Sequence, residues 1–382
     1  MCTAPIERGA AVLTEVARTP TPPDAVGLCL RGMAVCRAGA FDEGVPLLDA
    51  AARQLRSQGR LRLLAQVLSI QAWAALELGD LTLAVPAADE AVRLAVETQG
   101  PFWRIGALIA QSAVAAFRGD ETAVEALTAE ADRVSVPAGA AYLVSLAQYA
   151  RGVLELGRGR HAEAYEHLRR IRTPADAAYN RLCAIDSAGD FVEAAVRAGH
   201  QAEAETYLRE CEVMADEARS RWVEVQLLVG RMQLADDESS FDEALSRDLS
   251  RWPMMRARIV LAHGEWLRRQ RRAIESRRPL RAARDAFDAI GAVSWAERTR
   301  RELRAAGEGS RERPVDSLDE LPPQEFQIVR MAAEGLSNSD IAARLLLSRR
   351  TIESHLYRAY PKLGVVSRAQ IVTALGRRAA TP

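Results

Sequence analysis

The chain has 382 residues, of which 48% are hydrophobic, 5% are aromatic and 27% are charged. This hydrophobic content is enough for folded cores and excludes wholesale disorder, while the low aromatic content disfavours an all-β sandwich or barrel. Lys plus Arg equals Asp plus Glu at 51 each, so the net charge is zero. That balance excludes a protein that coats nucleic acid with a uniformly basic surface, although it is compatible with a local basic patch.

Targeting and cofactor signals are absent from the sequence. No apolar run approaches the length of a membrane span, and Glu7, Arg8 and Glu15 interrupt the start of the chain where a secretion signal needs apolar residues. The five cysteines are scattered without a Cys-x-x-Cys pair, and the histidines lack metal-ligand spacing. We therefore expect a cytoplasmic protein with no metal site, no cofactor and no membrane partner.

A 40-residue repeat runs through the first three hundred residues, because glycines stand at positions 39, 79, 119, 159 and 199. A glycine just beyond a helix adopts the left-handed backbone conformation at low cost. Small or compact residues follow five positions later, and they let two antiparallel helices approach closely: Gly44, Ala84, Val124, Ala164, Ala204 and Ala244. Each unit therefore predicts one helix pair.

The repeat weakens toward its end without disappearing. The sixth unit replaces the glycine with an acidic turn centred on Ser239, a seventh pair is expected within 254–292, and a last helix is expected at about 293–306. We predict an N-terminal arm (1–23) and an α-solenoid of about seven helix pairs (24–306), in which each pair packs only against its neighbours.

The solenoid resembles the tetratricopeptide-like superhelical domains of bacterial regulators, although its 40-residue period exceeds the 34 residues of that consensus. The resemblance implies a curved surface that binds an unidentified protein or small-molecule effector. The six tryptophans fit the solenoid core better than a ligand cage, and the basic run 268–272 fits a solvated helix end better than a DNA contact.

A segment rich in Gly, Ser, Pro and charge (307–319) predicts a flexible linker before the last domain (320–382). Start and stop signals there indicate four short helices. The first, at about 323–334, places Phe326, Val329 and Ala333 on one face and stops at Gly335. Ser337 is expected to cap the second, with Asp340 completing a capping box, while Ser348 caps the third and Ser367 the fourth.

The second and third of these helices have helix-turn-helix dimensions. In the third, Ile352, Leu356, Ala359 and Leu363 step by four, three and four residues and are expected to face the core. From Arg344 to the C-terminus eight Arg and Lys residues accompany one acid, Glu353, which gives a net charge of +7. This concentration in a neutral chain indicates phosphate contacts.

The segment EGLSNSDIAARLLLSRRTIESHLYRAYPKLGVVSRAQ resembles the LuxR-type helix-turn-helix signature over 321–375. The resemblance implies a four-helix domain that binds double-stranded DNA as a homodimer, with the dimer contact in the last helix, Ser367–Leu375. It implies that the third helix enters the major groove. The base-edge candidates are Arg350, Glu353, Ser354 and Tyr357. The phosphate candidates are Arg349, Thr351, His355, Arg358 and Lys362, and Arg350 can also serve there.

Three positions depart from the family pattern. Pro322 stands where the family has a capping Thr, and Pro361 lies late in the recognition helix, where it removes one backbone donor. Glu353 stands where a lysine is frequent. A carboxylate can accept from cytosine N4 but is repelled by phosphate, so base preference cannot be copied from relatives.

The combination of solenoid and helix-turn-helix is similar to the C-terminal part of the large ATP-binding LuxR regulators. Their phosphate-binding motif is absent here, because the only lysine, Lys362, is followed by Leu363. No catalytic constellation emerges, so we expect no enzyme activity. Whether a nucleotide-binding segment precedes this chain stays open.

These observations predict an all-α, sequence-specific DNA-binding transcriptional regulator whose solenoid senses an effector. The alternative is a solenoid adaptor for protein binding with a weak or vestigial DNA-binding module.

Overall fold

The computed structural model describes residues 4–218, 220–308, 323–345, 347–349, 351–352, 355–356 and 359. The chain divides into two compact units, residues 1–308 and 309–382. Within the described residues all regular structure is helical, as the sequence predicted.

The first unit contains seventeen helices among its described residues. They are α1 (Ala4–Arg18), α2 (Ala25–Arg37), α3 (Phe41–Ser57), α4 (Leu61–Glu77), α5 (Leu81–Glu97), α6 (Pro101–Arg118), α7 (Glu121–Ser135), α8 (Ala141–Arg158), α9 (His161–Arg172), α10 (Arg181–Asp186), α11 (Ala188–Arg197), α12 (Gln201–Ala218), α13 (Arg221–Gln233), α14 (Ser239–Ser246), α15 (Pro253–Arg269), α16 (Ala273–Ile290) and α17 (Val293–Ala305).

These helices form seven pairs followed by a closing helix, which confirms the predicted solenoid. The pairs run from α2 with α3 to α15 with α16, and α17 packs against α16 as the expected last helix. In the fifth pair the first helix is broken at Ser187 into α10 and α11. Within the predicted N-terminal arm α1 spans 4–18, and Arg31 Nη2 donates to the Val16 carbonyl at 2.6 Å.

The repeating glycines adopt the conformation that the period predicts. All five have positive φ, from 72° at Gly79 to 91° at Gly199. The small residues that follow are buried, and Ala84, Ala164 and Ala204 have no exposed surface. In the turn of the seventh pair Arg271 has a φ of 61°, so a residue with a long side chain occupies here the position that glycine occupies in other pairs.

The expectation that each pair packs only against its neighbours is wrong. Helices α13, α15 and α17 begin beside the turns of the first three pairs, about 180 residues earlier in the chain. Ser220 Oγ donates to the Ala38 carbonyl at 3.2 Å, and Arg298 Nη1 donates to the Leu156 carbonyl at 3.1 Å. Sequence periodicity reports the local helix pairs but carries no signal for this long-range contact.

A buried ionic network joins α11, α15 and α17. Arg258 contacts Asp190 at 2.6 Å and Glu193 at 2.7 Å, while Arg298 contacts Glu193 at 2.6 Å and Glu265 at 2.8 Å. These five side chains are at most 5% exposed. The guanidinium groups lower the pKa of Glu193 despite its burial, because two of them contact its carboxylate, whereas burial raises the pKa of Asp190, which contacts only Arg258.

Four of the six tryptophans are core residues, in agreement with the sequence interpretation: Trp222, Trp252, Trp266 and Trp295 are at most 7% exposed. In the basic run, Arg268 pairs with Glu302 at 2.6 Å and Arg272 with Glu238 at 2.6 Å. None of the described helices combines the length and the apolar character that crossing a membrane requires.

Candidate nucleic-acid interface

The second unit begins its described part with α18 (Pro323–Ala333) and α19 (Asn338–Leu345). Helical residues follow at 349, 351–352, 355–356 and 359, and they trace the predicted third helix. Ile328, Val329, Ile341, Ile352 and Leu356 are at most 2% exposed and form a separate small core with Ala332, Ala342 and Ala359. The predicted core stripe of the third helix is confirmed at its first three positions, and Leu363 lies outside the described residues.

The predicted inner face of α18 is wrong at Phe326, which is 38% exposed. The helix instead buries Glu325, Ile328, Val329 and Ala332. Successive residues turn about 100° around a helix, so Phe326 lies one position off the centre of this stripe. The aromatic side chain made 326 look like a core position, whereas the buried stripe follows Glu325, Ile328, Val329 and Ala332.

Two of the three predicted serine caps are confirmed, and the third, Ser367, lies outside the described residues. Asp340 N donates to Ser337 Oγ at 3.2 Å and Ser337 N donates to Asp340 Oδ2 at 3.1 Å, which is a complete capping box. Thr351 N donates to Ser348 Oγ at 3.0 Å at the start of the third helix. Gly335, with φ of 89°, ends α18 as expected. These signals set the lengths of both turns and therefore the geometry of the helix-turn-helix.

Three of the nine proposed DNA-contacting residues lie among the described residues. Arg349 is exposed near the start of the third helix. The Thr351 hydroxyl lies 2.7 Å from Ser348 Oγ, so it takes part in the cap. His355 is only 15% exposed, and its Nδ1 lies 3.8 Å from the Glu325 carboxylate. The others lie outside the described residues: Arg350, Glu353, Ser354, Tyr357, Arg358 and Lys362. The proposed dimer helix 367–375 also lies outside them.

Glu325 is a site residue that sequence reasoning missed. Its carboxylate is 6% exposed and faces the third helix at His355. The available signal was its position, because Glu325 precedes Ile328, Val329 and Ala332 at the helical spacing of the buried stripe. A buried acid at this place favours a packing role for His355 over a phosphate contact.

The fold and its capped helix pair define the second unit as a helix-turn-helix module. Comparison with known families identifies it further: residues 319–375 match the family described as bacterial regulatory proteins, luxR family. The chain thus carries a DNA-binding domain of the LuxR type at its C-terminal end, as the sequence resemblance predicted.

Similar proteins are named as transcriptional regulators. An HTH-type transcriptional regulator of Mycobacterium bovis is 44% identical over 87 residues, which cover 23% of this chain and 9% of that protein. The transcriptional regulatory protein SgaR of Hyphomicrobium methylovorum is 42% identical over 57 residues, 15% of this chain and 27% of that protein. The chain therefore spans only a small part of the mycobacterial relative.

A solved structure also shares the fold of most of the chain. A Rap protein, crystallised in complex with competence and sporulation factor, matches with a TM-score of 0.51 at 13% identity and covers 79% of this chain and 80% of that one. At this identity the similarity concerns the fold alone, and it agrees with the predicted all-α solenoid.

Proposed function

We propose that this protein is a sequence-specific transcriptional regulator whose solenoid senses an effector and controls the C-terminal helix-turn-helix. The observation that carries the DNA-binding part is the capped helix pair on its own core, within the region that matches the luxR family. The net charge of +7 from Arg344 onward supplies attraction to phosphates. A regulator of this kind acts by binding, so we propose no catalytic role.

The proposed organisation is a solenoid at 24–306, a linker at 307–319 and a DNA-binding domain at 320–382. Effector binding to the solenoid changes the dimerisation or the release of the DNA-binding domain through this linker. The Rap protein supports a sensing role by analogy, because the solenoid-like structure that this chain resembles is itself in complex with a factor.

In this proposal the third helix enters the major groove of double-stranded DNA and a homodimer forms through Ser367–Leu375. Base edges contact Arg350, Glu353, Ser354 and Tyr357. Phosphates contact Arg349, Thr351, Arg358 and Lys362, and His355 is the least suited of the phosphate candidates because of its burial beside Glu325.

The test is a gel shift and footprint on the DNA upstream of the protein's own gene. Arg350→Ala combined with Arg358→Ala is expected to weaken binding at least tenfold. The slope of log binding constant against log salt concentration should also become shallower by about one unit for each phosphate interaction that the substitutions remove. Arg330→Ala is the matched control, because this exposed residue on α18 contacts only Glu334 at 3.7 Å among the described ion pairs.

Footprints that survive the double variant unchanged would contradict the assigned recognition helix. Affinity no higher than non-specific binding, together with a protein partner that is retained after removal of 315–382, would instead favour the adaptor function.

A further inference from the structure

The first unit contains a cavity of about 650 Å³ between α2, α4, α6, α8, α10 and α13. This volume is in the range that proteins use for small molecules. Six aromatic side chains contribute to its wall: Phe41, Trp73, Trp103, Tyr142, Tyr149 and Trp222. Trp73 and Trp103 are thus cavity residues, and Trp222, one of the four core tryptophans, also contributes to this wall.

The aromatic wall is ordered by contacts within it. The rings of Trp73 and Tyr149 lie 5.6 Å apart, and the Arg37 guanidinium lies 4.3 Å from the centre of the Tyr142 ring. The one guanidinium in the wall is therefore already engaged by the protein.

Two carboxyl groups lie in the same wall, where the Arg37 charge attracts Asp186 and the Arg258 charge attracts Glu77. Glu77, the last residue of α4, is 6% exposed, and its Oε2 has no hydrogen-bond partner among the described residues. Asp186, the last residue of α10, is half-buried in the cavity wall. Burial raises the pKa of Glu77, and the charges of Asp190 and Asp186 raise it further. A buried acceptor without a donor is costly, so a ligand that supplies one gains binding energy.

We propose that this cavity binds a small organic amine, with its apolar body among the aromatic rings and its ammonium group at Glu77 and Asp186. An ammonium donates the hydrogen bond that Glu77 lacks and is attracted by the faces of aromatic rings. A carboxylate ligand carries no donor for Glu77 Oε2, and a purely apolar ligand would also leave that atom unsatisfied. This inference rests on the proposed function, in which the solenoid senses an effector, and it names the chemical class of that effector.

The test compares three probes that share one fluorescent body. Dansylcadaverine carries the amine, dansyl-pentylamide is its neutral analogue, and dansyl-6-aminohexanoate carries a carboxylate. Fluorescence titration of the full chain should show that the amine binds at least tenfold more tightly than either analogue, the gain of one charge-assisted hydrogen bond.

Two variants make the test specific. Glu77→Gln should remove the tenfold preference for the amine and leave the neutral analogue unaffected, whereas Glu97→Gln, which removes an exposed carboxylate on α5, should change nothing. Gly106→Leu narrows the cavity, because a Cβ atom at this wall position meets no atom within 4 Å. Leucine also favours a helix interior over glycine, so this variant should fold normally and bind all three probes at least tenfold less tightly.

Equal affinity for the three probes, an unchanged amine preference in a folded Glu77→Gln variant, or undiminished probe affinity in Gly106→Leu would each overturn the inference. Should Glu77→Gln fail to fold, Gly106→Leu with a normal thermal midpoint decides the matter. DNA affinity of the same preparations is measured separately. Amine binding without DNA affinity contradicts only the proposed function, and DNA affinity without amine binding contradicts only this inference.

Discussion

Gly39 shows how one residue serves two structural purposes. Its φ of 79° favours glycine for conformational reasons, which the 40-residue period already indicated. The structure adds a second reason, because a methyl group at this position would lie 2.4 Å from Ser220 Oγ and 2.8 Å from Trp222 Cβ. Gly39 therefore also makes room for the start of α13.

Gly39→Ala should for this reason be more destabilising than Gly199→Ala. Both replace a glycine of positive φ, at a cost of about 1 kcal/mol. At Gly199 a methyl group meets nothing within 4 Å, whereas at Gly39 it displaces Ser220, which caps α13. We expect an additional loss of about 1–3 kcal/mol from overpacking. Urea unfolding of both variants measures the difference, and equal losses would show that the contact with α13 contributes nothing.

Residues whose role depends on nearby sequence could be predicted, and residues whose role depends on distant sequence could not. Ser337 and Asp340 form the capping box that their spacing indicates, since cap and helix are contiguous. From the sequence alone, Glu77 is indistinguishable from an ordinary polar residue before a turn. Its burial arises from helices about 65 to 145 residues further along the chain, and no local pattern reports that. For the same reason the candidate amine site was invisible in the sequence.

At the scale of elements, the ionic network replaces apolar packing where three helices meet. Arg258 reaches from α15 to Asp190 and Glu193 on α11, and Arg298 reaches from α17 to Glu193 and Glu265. Because Glu193 is shared by both guanidinium groups, the three helices hold one another in register. Periodicity predicted these helices correctly, but it gave no sign that charged residues occupy their inner positions.

Arg258→Ala should cost about 3–5 kcal/mol of folding free energy, because it leaves Asp190 and part of Glu193 buried without a counter-charge. Arg256→Ala is the matched control on the same helix. Arg256 is exposed, and its removal should change stability by less than about 0.5 kcal/mol. Chemical denaturation distinguishes the two cases. Similar small losses for both variants would mean that water or rearranged partners compensate the buried acids.

At the scale of the whole solenoid unit, contacts between distant pairs change how far the effect of a destabilising substitution extends. In a simple solenoid each pair interacts only with its neighbours, so a substitution destabilises mainly its own pair and the adjacent ones. Here Arg298 of α17 contacts the Leu156 carbonyl of α8 and Glu193 of α11, more than 100 residues earlier. We therefore expect these helices to open together as one cooperative group rather than in chain order.

Hydrogen exchange measured by mass spectrometry tests this cooperativity on the full chain. Arg298→Ala should speed exchange in α8 and α11 as well as in the neighbouring α16, because the variant removes the hydrogen bonds to the first two helices. Arg300→Ala, whose described partners are Asp288 on α16 and Glu297 on its own helix, should affect α16 and α17 alone. If both variants changed only α16 and α17, the unit would behave as a nearest-neighbour stack, and the long-range contacts would carry little of its stability.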